Sequence, residues 1–241
     1  MDVAGPFPLP TATSPDERQR AAQVAVLPVG SFEQHGDHLP LITDTLVAQL
    51  IASTLAETHH LLLLPPLTIS CSHEHAAFAG TVSISAGTLH AVVTDIHASL
   101  QHAGIPQLVL VNGHGGNYVL SNLVQEANLA GPVMSLFPTR TDWDTARHAA
   151  GIETTTHDDM HAGELEVSLL LAAWPDLVGP DHKTADHLAD RPHLLINGVA
   201  GYSETGVIGR PSLGSADKGR AVLESLRSSF KAHLSLLALN R

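Results

Sequence analysis

Val24-Ala25-Val26-Leu27-Pro28-Val29-Gly30-Ser31-Phe32-Glu33-Gln34-His35-Gly36-Asp37-His38-Leu39-Pro40-Leu41-Ile42-Thr43-Asp44-Thr45-Leu46-Val47-Ala48-Gln49-Leu50-Ile51-Ala52 reads as a strand, a loop and a helix in turn. Val24–Val29 is an apolar run, as expected of a strand covered on both faces of a sheet. From Leu46 onward the apolar positions recur at helical spacing. The loop between them leaves the end of a sheet strand, where α/β proteins place their sites. It carries Glu33, His35, Asp37, His38 and Asp44. Glu33 and His35 are two apart, so an extended backbone points both the same way. Carboxylate and imidazole together suit Zn, Fe or Mn better than Ca or Mg. Two plainer readings compete. Asp44, flanked by threonines at a helix start, has the character of an N-cap, and the cluster as a whole has that of a solvated polar loop.

Working outward, the same alternation repeats. The first helix is expected from about Thr45 to about Thr58, and Leu61–Leu64 reads as a buried strand stopped by Pro65-Pro66. Thr81–Ile84 has the β-branched alternation of a strand. Thr88–Ala103 reads as a helix with Leu89, Val92, Val93, Ile96 and Leu100 on one face, closed by Gly104. Leu108–Val111 is the clearest central strand, followed by a helix from Tyr118 to about Leu129. Pro132–Phe137 is the next strand, Asp142–Ala150 a short helix, and Ala162–Ala173 a longer one. Residues 176–215 are loop-rich. Lys218 to about Leu237 is a final amphipathic helix. Strands alternating with helices predict an α/β fold with a mostly parallel sheet covered on both faces. Residues 1–20 read as an irregular segment, and residues 21–241 as a single domain.

Composition narrows the function. A net charge of −12 with histidines neutral argues against a general affinity for nucleic acid or anionic membrane. It is compatible with a site that gathers cations. The lone cysteine, Cys71, excludes an intrachain disulfide and fits a reducing compartment. The N-terminus has no basic start or apolar core of a secretory signal, and no segment is apolar for long enough to span a membrane. A cytoplasmic protein is expected.

Two further polar clusters follow strand or loop ends. Asn112-Gly113-His114-Gly115-Gly116-Asn117 lies between a strand and a helix. Tyr118 stands where a dinucleotide loop needs its last glycine, and no Gly-Lys-Ser/Thr is present, so a phosphate loop is not supported. The glycines instead let the backbone pass close to something while His114 projects; a Gly-rich turn with an incidental histidine is the plain alternative. His157-Asp158-Asp159-Met160-His161-Ala162-Gly163-Glu164-Leu165-Glu166 enters the helix beginning near Ala162. Acidic residues there are favoured by the helix dipole without any further role. His161 and Glu164, three apart, would share one side of a helical turn, and Glu166 would point away from it. His73-Glu74-His75 lacks the zincin pattern, as does the His157–His161 segment. Exits from strands of a parallel sheet share one edge. Their convergence predicts a two-metal site with Glu33, His35, Asp44, His114 and Glu164 as ligands and Asp44 as bridge. Two such metals hold a hydroxide and polarise a carbonyl together.

Val29–Asp44, Asn112–Asn117 and His161–Glu166 together resemble the signatures of the creatininase (creatinine amidohydrolase) family over most of residues 24–235. Ser70-Cys71-Ser72-His73-Glu74-His75-Ala76-Ala77-Phe78 and Gly206-Val207-Ile208-Gly209-Arg210-Pro211-Ser212 look most similar to the mycofactocin-associated members. The resemblance implies a three-layer α/β fold, two divalent ions per chain (Zn, Fe or Mn) and a homo-oligomer. It implies a metal-dependent amidohydrolase in which a metal-bound hydroxide attacks an amide carbonyl. The mycofactocin-type members imply a peptidase that trims the C-terminal Val-Tyr end of a modified precursor peptide. His161 is the expected proton shuttle and Glu166 is expected to orient a neighbour. In creatininase itself a glutamate two positions after the loop histidine binds metal; Gly116 stands there in this chain, and Glu164 is the expected replacement. A tryptophan and a tyrosine that wall the creatininase pocket also lack counterparts, so creatinine is not the expected substrate. A small cyclic amide or formamide is the alternative substrate, and a non-catalytic metal-binding protein is the alternative of another class.

Overall fold

The structure is a computed structural model, and it describes residues 9–238. In chain order its helices and strands are α1 (Ser14–Arg20), β1 (Val24–Val29), α2 (Thr43–His59), β2 (Leu62–Leu63), α3 (Ala86–His102), β3 (Gln107–Asn112), α4 (Val119–Ala127), β4 (Met134–Phe137), α5 (Arg140–Ala149), α6 (Glu164–Ala173), the single turn α7 (Leu194–Asn197) and α8 (Ala216–Ala238). The four strands form one parallel sheet in the order β2-β1-β3-β4, with Val24 opposite Gln107 and Val29 opposite Asn112.

The alternation of side chains along each strand builds three layers. Val24, Val26, Val109, Val111 and Phe137 face a core shared with Leu46, Val47, Ile51 and Leu55 of α2, Val167 and Leu170 of α6, and Val222, Leu226 and Phe230 of α8. Ala25, Leu27, Val29, Leu108, Leu110 and Met134 face the other way, onto Leu89, Val93 and Leu100 of α3 and Leu120 and Leu123 of α4. β1 and β3 lie between these layers, which is why they read as unbroken apolar runs. Residues Thr43–Ala52 of α2 are buried on every side, the polar Thr43, Asp44, Thr45 and Gln49 among them, so the first half of this helix is enclosed rather than striped.

The differences from expectation are local. Ser14–Arg20 is helical, because Thr13 and Asp16 form a capping box at its start; residues 9–13 are irregular, and residues 1–8 of the expected irregular segment lie outside the described residues. Thr81–Ile84 adds no strand to the sheet and makes only an isolated bridge between Val82 and Phe32. α6 begins at Glu164 rather than Ala162, and His161 forms an antiparallel bridge with Ile208. No described helix is long and apolar enough to cross a membrane.

Candidate metal centre

The C-terminal ends of β1 and β3 and the first turn of α2 meet at one point. Gly113 makes that approach possible: a Cβ there would strike the backbone carbonyl of Asp44. Asp44 occupies the second position of α2, not its N-cap; Ile42 is the cap residue, and it makes no side-chain hydrogen bond there. The Asp44 carboxylate is therefore free to face outward from the helix end. Its Oδ1 lies 3.0 Å from His35 Nε2. Its Oδ2 lies 2.9 Å from His114 Nδ1 and accepts a hydrogen bond from Ser31 Oγ at 2.7 Å. Each oxygen of one carboxylate thus faces a different imidazole.

The imidazoles are oriented from behind. His35 Nδ1 donates to the Glu33 carbonyl at 3.0 Å, and His114 Nε2 donates to the Cys71 carbonyl at 2.9 Å. Anchoring one ring nitrogen on a carbonyl aims the other as a ligand, the usual arrangement behind metal-binding histidines. The Glu33 carboxylate is fully buried, and neither of its oxygens accepts a hydrogen bond. Its Oε1 lies 3.2 Å from His114 Nδ1, 3.3 Å from His75 Nε2 and 3.7 Å from His161 Nδ1.

Glu166 completes the cluster and Glu164 does not. Glu166 Oε1 lies 3.8 Å from His35 Nε2, and its Oε2 accepts from the Ala162 backbone N–H at 2.6 Å. The Glu164 carboxylate lies apart, accepting from the Glu153 and Thr154 backbone N–H groups, from Thr154 Oγ1 at 2.7 Å and from Lys218 Nζ at 2.6 Å. Glu164 as a metal ligand is therefore corrected. The expectation assumed that His161 and Glu164 share a helical turn, but His161 lies in extended backbone before the helix, so their spacing of three does not align them. Glu166 reaches the cluster because, from the first turn, its side chain folds back toward Ala162. A side chain at position 116 would require Glu74 and His114 to move: a Cβ on Gly116 would meet Glu74 Oε1 and His114 Nε2.

Sequence reasoning did not find the role of Gln34, and left His75 open. Gln34 Oε1 accepts from the Gly36 N–H at 2.9 Å, which fixes the amide so that Nε2 donates to His75 Nδ1 at 2.9 Å. The His75 proton then resides on Nε2, which faces Glu33. His161 Nε2 donates to the Gln34 carbonyl at 2.6 Å, leaving Nδ1 as its free acceptor. No spacing rule links these segments; only the fold joins Gln34 to His75 and His161. His38 is used structurally, donating to the Ala162 carbonyl at 3.0 Å, and His157 pairs at the surface with Asp190.

The electrostatics describe a site built around positive charge. Burial pushes the Glu33 carboxyl up, and the nearby Asp44 adds to it. Burial likewise pushes Glu166 up to about 8. Burial opposes charge on His35, yet Asp44 raises it to about 10; burial opposes charge on Asp44 too, yet His35 and His114 hold it well below the usual carboxylate range. Carboxylates confined this closely need protons or cations among them. Three sets bring ligand atoms within 4.8 Å of one another: Glu33, Asp44 and His114; His35, Asp44 and Glu166; and Glu33, His35 and His161. Two atoms bound at about 2.1 Å to one ion lie about 3.0–3.4 Å apart at octahedral to tetrahedral angles, close to the Asp44–His35 and Asp44–His114 spacings. The residues fit divalent metal. Asp44, His75, His114, His161 and Glu166 line a cavity of about 260 Å³.

The comparisons agree with this chemistry. The family model described as creatininase, creatinine amidohydrolase, matches residues 10–234. The mycofactocin precursor peptide peptidase of Mycobacterium ulcerans (strain Agy99) is 36% identical over 216 residues, covering 83% of this chain and 80% of that one. The creatinine amidohydrolase of Pseudomonas putida is 29% identical over 219 residues, covering 83% of this chain and 84% of that one. The solved structure of a mutant creatininase of Zn-Zn type superposes with a TM-score of 0.78 at 26% identity, covering 93% of this chain and 95% of that one. The chain belongs to the creatininase family, and like its relatives it is a hydrolase acting on amide bonds.

Proposed function

We propose that this protein is a two-metal peptidase that trims the C-terminal end of a small modified peptide, a mycofactocin precursor cleaved near its Val-Tyr terminus. One observation carries the two-metal reading: the oxygens of Asp44 face His35 and His114 separately, with Glu166 beside one imidazole and the orphaned Glu33 carboxylate beside the other. His35, Asp44 and Glu166 would hold one ion; Glu33, Asp44 and His114 would hold the second. Bound divalent ions would supply Lewis-acid polarisation of an amide carbonyl and would acidify water.

The chain's own residues do the rest. The carbonyls of Glu33 and Cys71 keep His35 and His114 in the tautomers that ligation needs. Gln34 places a proton on His75 Nε2, facing Glu33. His161 Nδ1 is the acceptor left open at the cavity, and it takes and passes the proton that the leaving nitrogen requires. Its neutral form is favoured because burial holds its pKa well below the usual histidine range.

The likeness to the mycobacterial peptidase supports a peptide substrate over creatinine. Both tryptophans, Trp143 and Trp174, pack on the core and neither lines the cavity, where Tyr118 is the aromatic ring besides the histidines. The test is mass spectrometry of the modified precursor peptide before and after incubation with metal-loaded protein, with metal analysis of the same sample. Loss of a C-terminal fragment with two ions per chain supports the reading. Two ions and no hydrolysis of peptide or small amide would make it a metal-binding protein, and turnover of creatinine would make it a small-amide hydrolase.

A further inference from the structure

Ala162 joins the extended backbone at His161 to the start of α6, and it does so at φ +54°, in the left-handed region. That region disfavours a residue with a Cβ by a factor of about 5–30. Such a conformation persists only where its surroundings hold it, and it is found most often at functional sites. The two peptide planes flanking Ala162 are held by different segments. In the plane before it, the His161 carbonyl accepts from the Ile208 N–H at 3.0 Å, and the Ala162 N–H donates to Glu166 Oε2 at 2.6 Å. In the plane after it, the Ala162 carbonyl accepts from His38 Nε2 at 3.0 Å.

His38 follows His35 by three residues on the loop that leaves β1, and its own carbonyl accepts from the Gly179 N–H at 2.7 Å. Its ring is buried, and Nδ1 has no hydrogen-bond partner among the described residues. A buried nitrogen left unpaired costs stability, so an apolar side chain would fill this space better. What the histidine adds is its one bond to Ala162. That bond ties the loop bearing His35 to the turn that aims Glu166, whose Oε1 lies 3.8 Å from His35 Nε2. The helix start is held separately, since Asp159 accepts from the Glu164 and Leu165 N–H groups at 2.6 and 3.1 Å. The part left to His38 is the left-handed turn.

We propose that His38 is a positioning residue for the metal centre: by holding the Ala162 carbonyl it keeps the strained turn in place, and the Ala162 N–H then fixes the Glu166 carboxylate beside His35. The proposal rests on the two-ion reading above. It assigns the residue that sets the affinity for one of the ions, the one shared by His35, Asp44 and Glu166. Without the clamp, Ala162 relaxes in most chains, and apparent affinity falls with the fraction of chains still competent.

Zinc titration of the metal-free full chain against a competing chelator tests it, with far-UV circular dichroism of the same samples. Wild type is expected to bind two zinc ions. His38→Leu should keep the helical signal and bind one ion about 5- to 30-fold more weakly, the factor set by the left-handed turn. The other ion should stay near its wild-type affinity. His38→Gln, whose amide can place an N–H near the Nε2 position, should restore most of the loss. Ala162→Gly added to His38→Leu should restore most of it too, because glycine adopts positive φ as readily as negative. A folded His38→Leu chain that binds both ions as wild type does overturns the proposal. So does a loss that is equal in His38→Gln, or one that Ala162→Gly leaves untouched, since the histidine would then serve packing alone. If His38→Leu does not fold, His38→Asn, too short to reach the carbonyl, takes its place. If that is unfolded as well, His38 holds the fold rather than the ion, and the proposal falls. Fewer than two zinc ions on wild type is a separate failure, that of the two-ion reading beneath it.

Discussion

Glu164 and Glu166 stand two residues apart in the first turn of α6, and the fold sends their carboxylates to different regions. Glu164 is turned inward toward Thr154 and Lys218, where it ties the loop before α6 to the start of α8. Its charge is fully answered by one ammonium and several N–H and O–H donors. Glu166 turns toward His35 and Asp44, where hydrogen bonds to its carboxylate are few and burial raises its pKa to about 8. A carboxylate saturated with donors is architectural. One left short of donors beside two imidazoles and other carboxylates is placed for a cation. The same contrast separates Asp159, which caps α6 and pairs with Arg147 at 2.9 Å, from Glu33, whose oxygens accept no hydrogen bond.

Glu166→Gln should give the largest effect. It is expected to fold, to hold about one ion per chain instead of two, and to lose at least about 100-fold in peptide turnover, since it removes a charge at the reacting centre. Metal analysis and steady-state rates check this. Full metal content with near-normal turnover would break the contrast at its functional end.

Chelation comes next. Activity should vanish while the far-UV helical signal stays, because both cores are built from residues that do not ligate metal. The melting temperature should fall, by the equivalent of about 2.7 kcal/mol for each ion held at 100 times its dissociation constant. A metal-free protein without helical signal would make the centre structural.

At the other end of the comparison, Lys218→Met should cost about 1–3 kcal/mol in denaturant unfolding by leaving Glu164 buried with fewer partners, and metal content should stay at the wild-type value. Loss of metal in this variant would show that the Glu164–Lys218 pair positions Glu166 more tightly than the separation of their carboxylates suggests.

The smallest effect is in pH dependence. Burial opposes the Glu164 charge, but Lys218 and Thr154 hold its pKa below its ordinary 4.5. A depressed carboxylate contributes stability that is fully present above that pH and is lost as pH falls through the folded-state value. Lys218, raised above its ordinary 10.5, contributes below that pH and loses its contribution as pH rises through its folded-state value. Glu164→Gln should therefore flatten the acid limb of a stability–pH curve below about pH 4.5 and lower the plateau at neutral pH. An unchanged acid limb would mean that the pair adds nothing to folding.

The strand–loop–helix order, the two-faced apolar strands and the polar exits after β1 and β3 were legible in the sequence, because periodicity and glycine placement are local properties; the third polar cluster, expected at a strand exit, follows α5 instead. Glu33, His35, Asp44 and His114 could be singled out for the same reason: each lies at a strand end or at the helix start facing it, and a parallel sheet gathers such ends on one edge. The choice between Glu164 and Glu166 was not local. It depended on whether the backbone at His161 was helical, and the pairing of His161 with Ile208, more than forty residues away, decided that it was not. Gln34 was hidden and His75 left open for a related reason, since their meaning lies in partners brought from distant segments. Sequence alone determined which residue types could meet at the sheet edge; only tertiary packing decided which carboxylate was satisfied by a lysine and which was left to face the imidazoles.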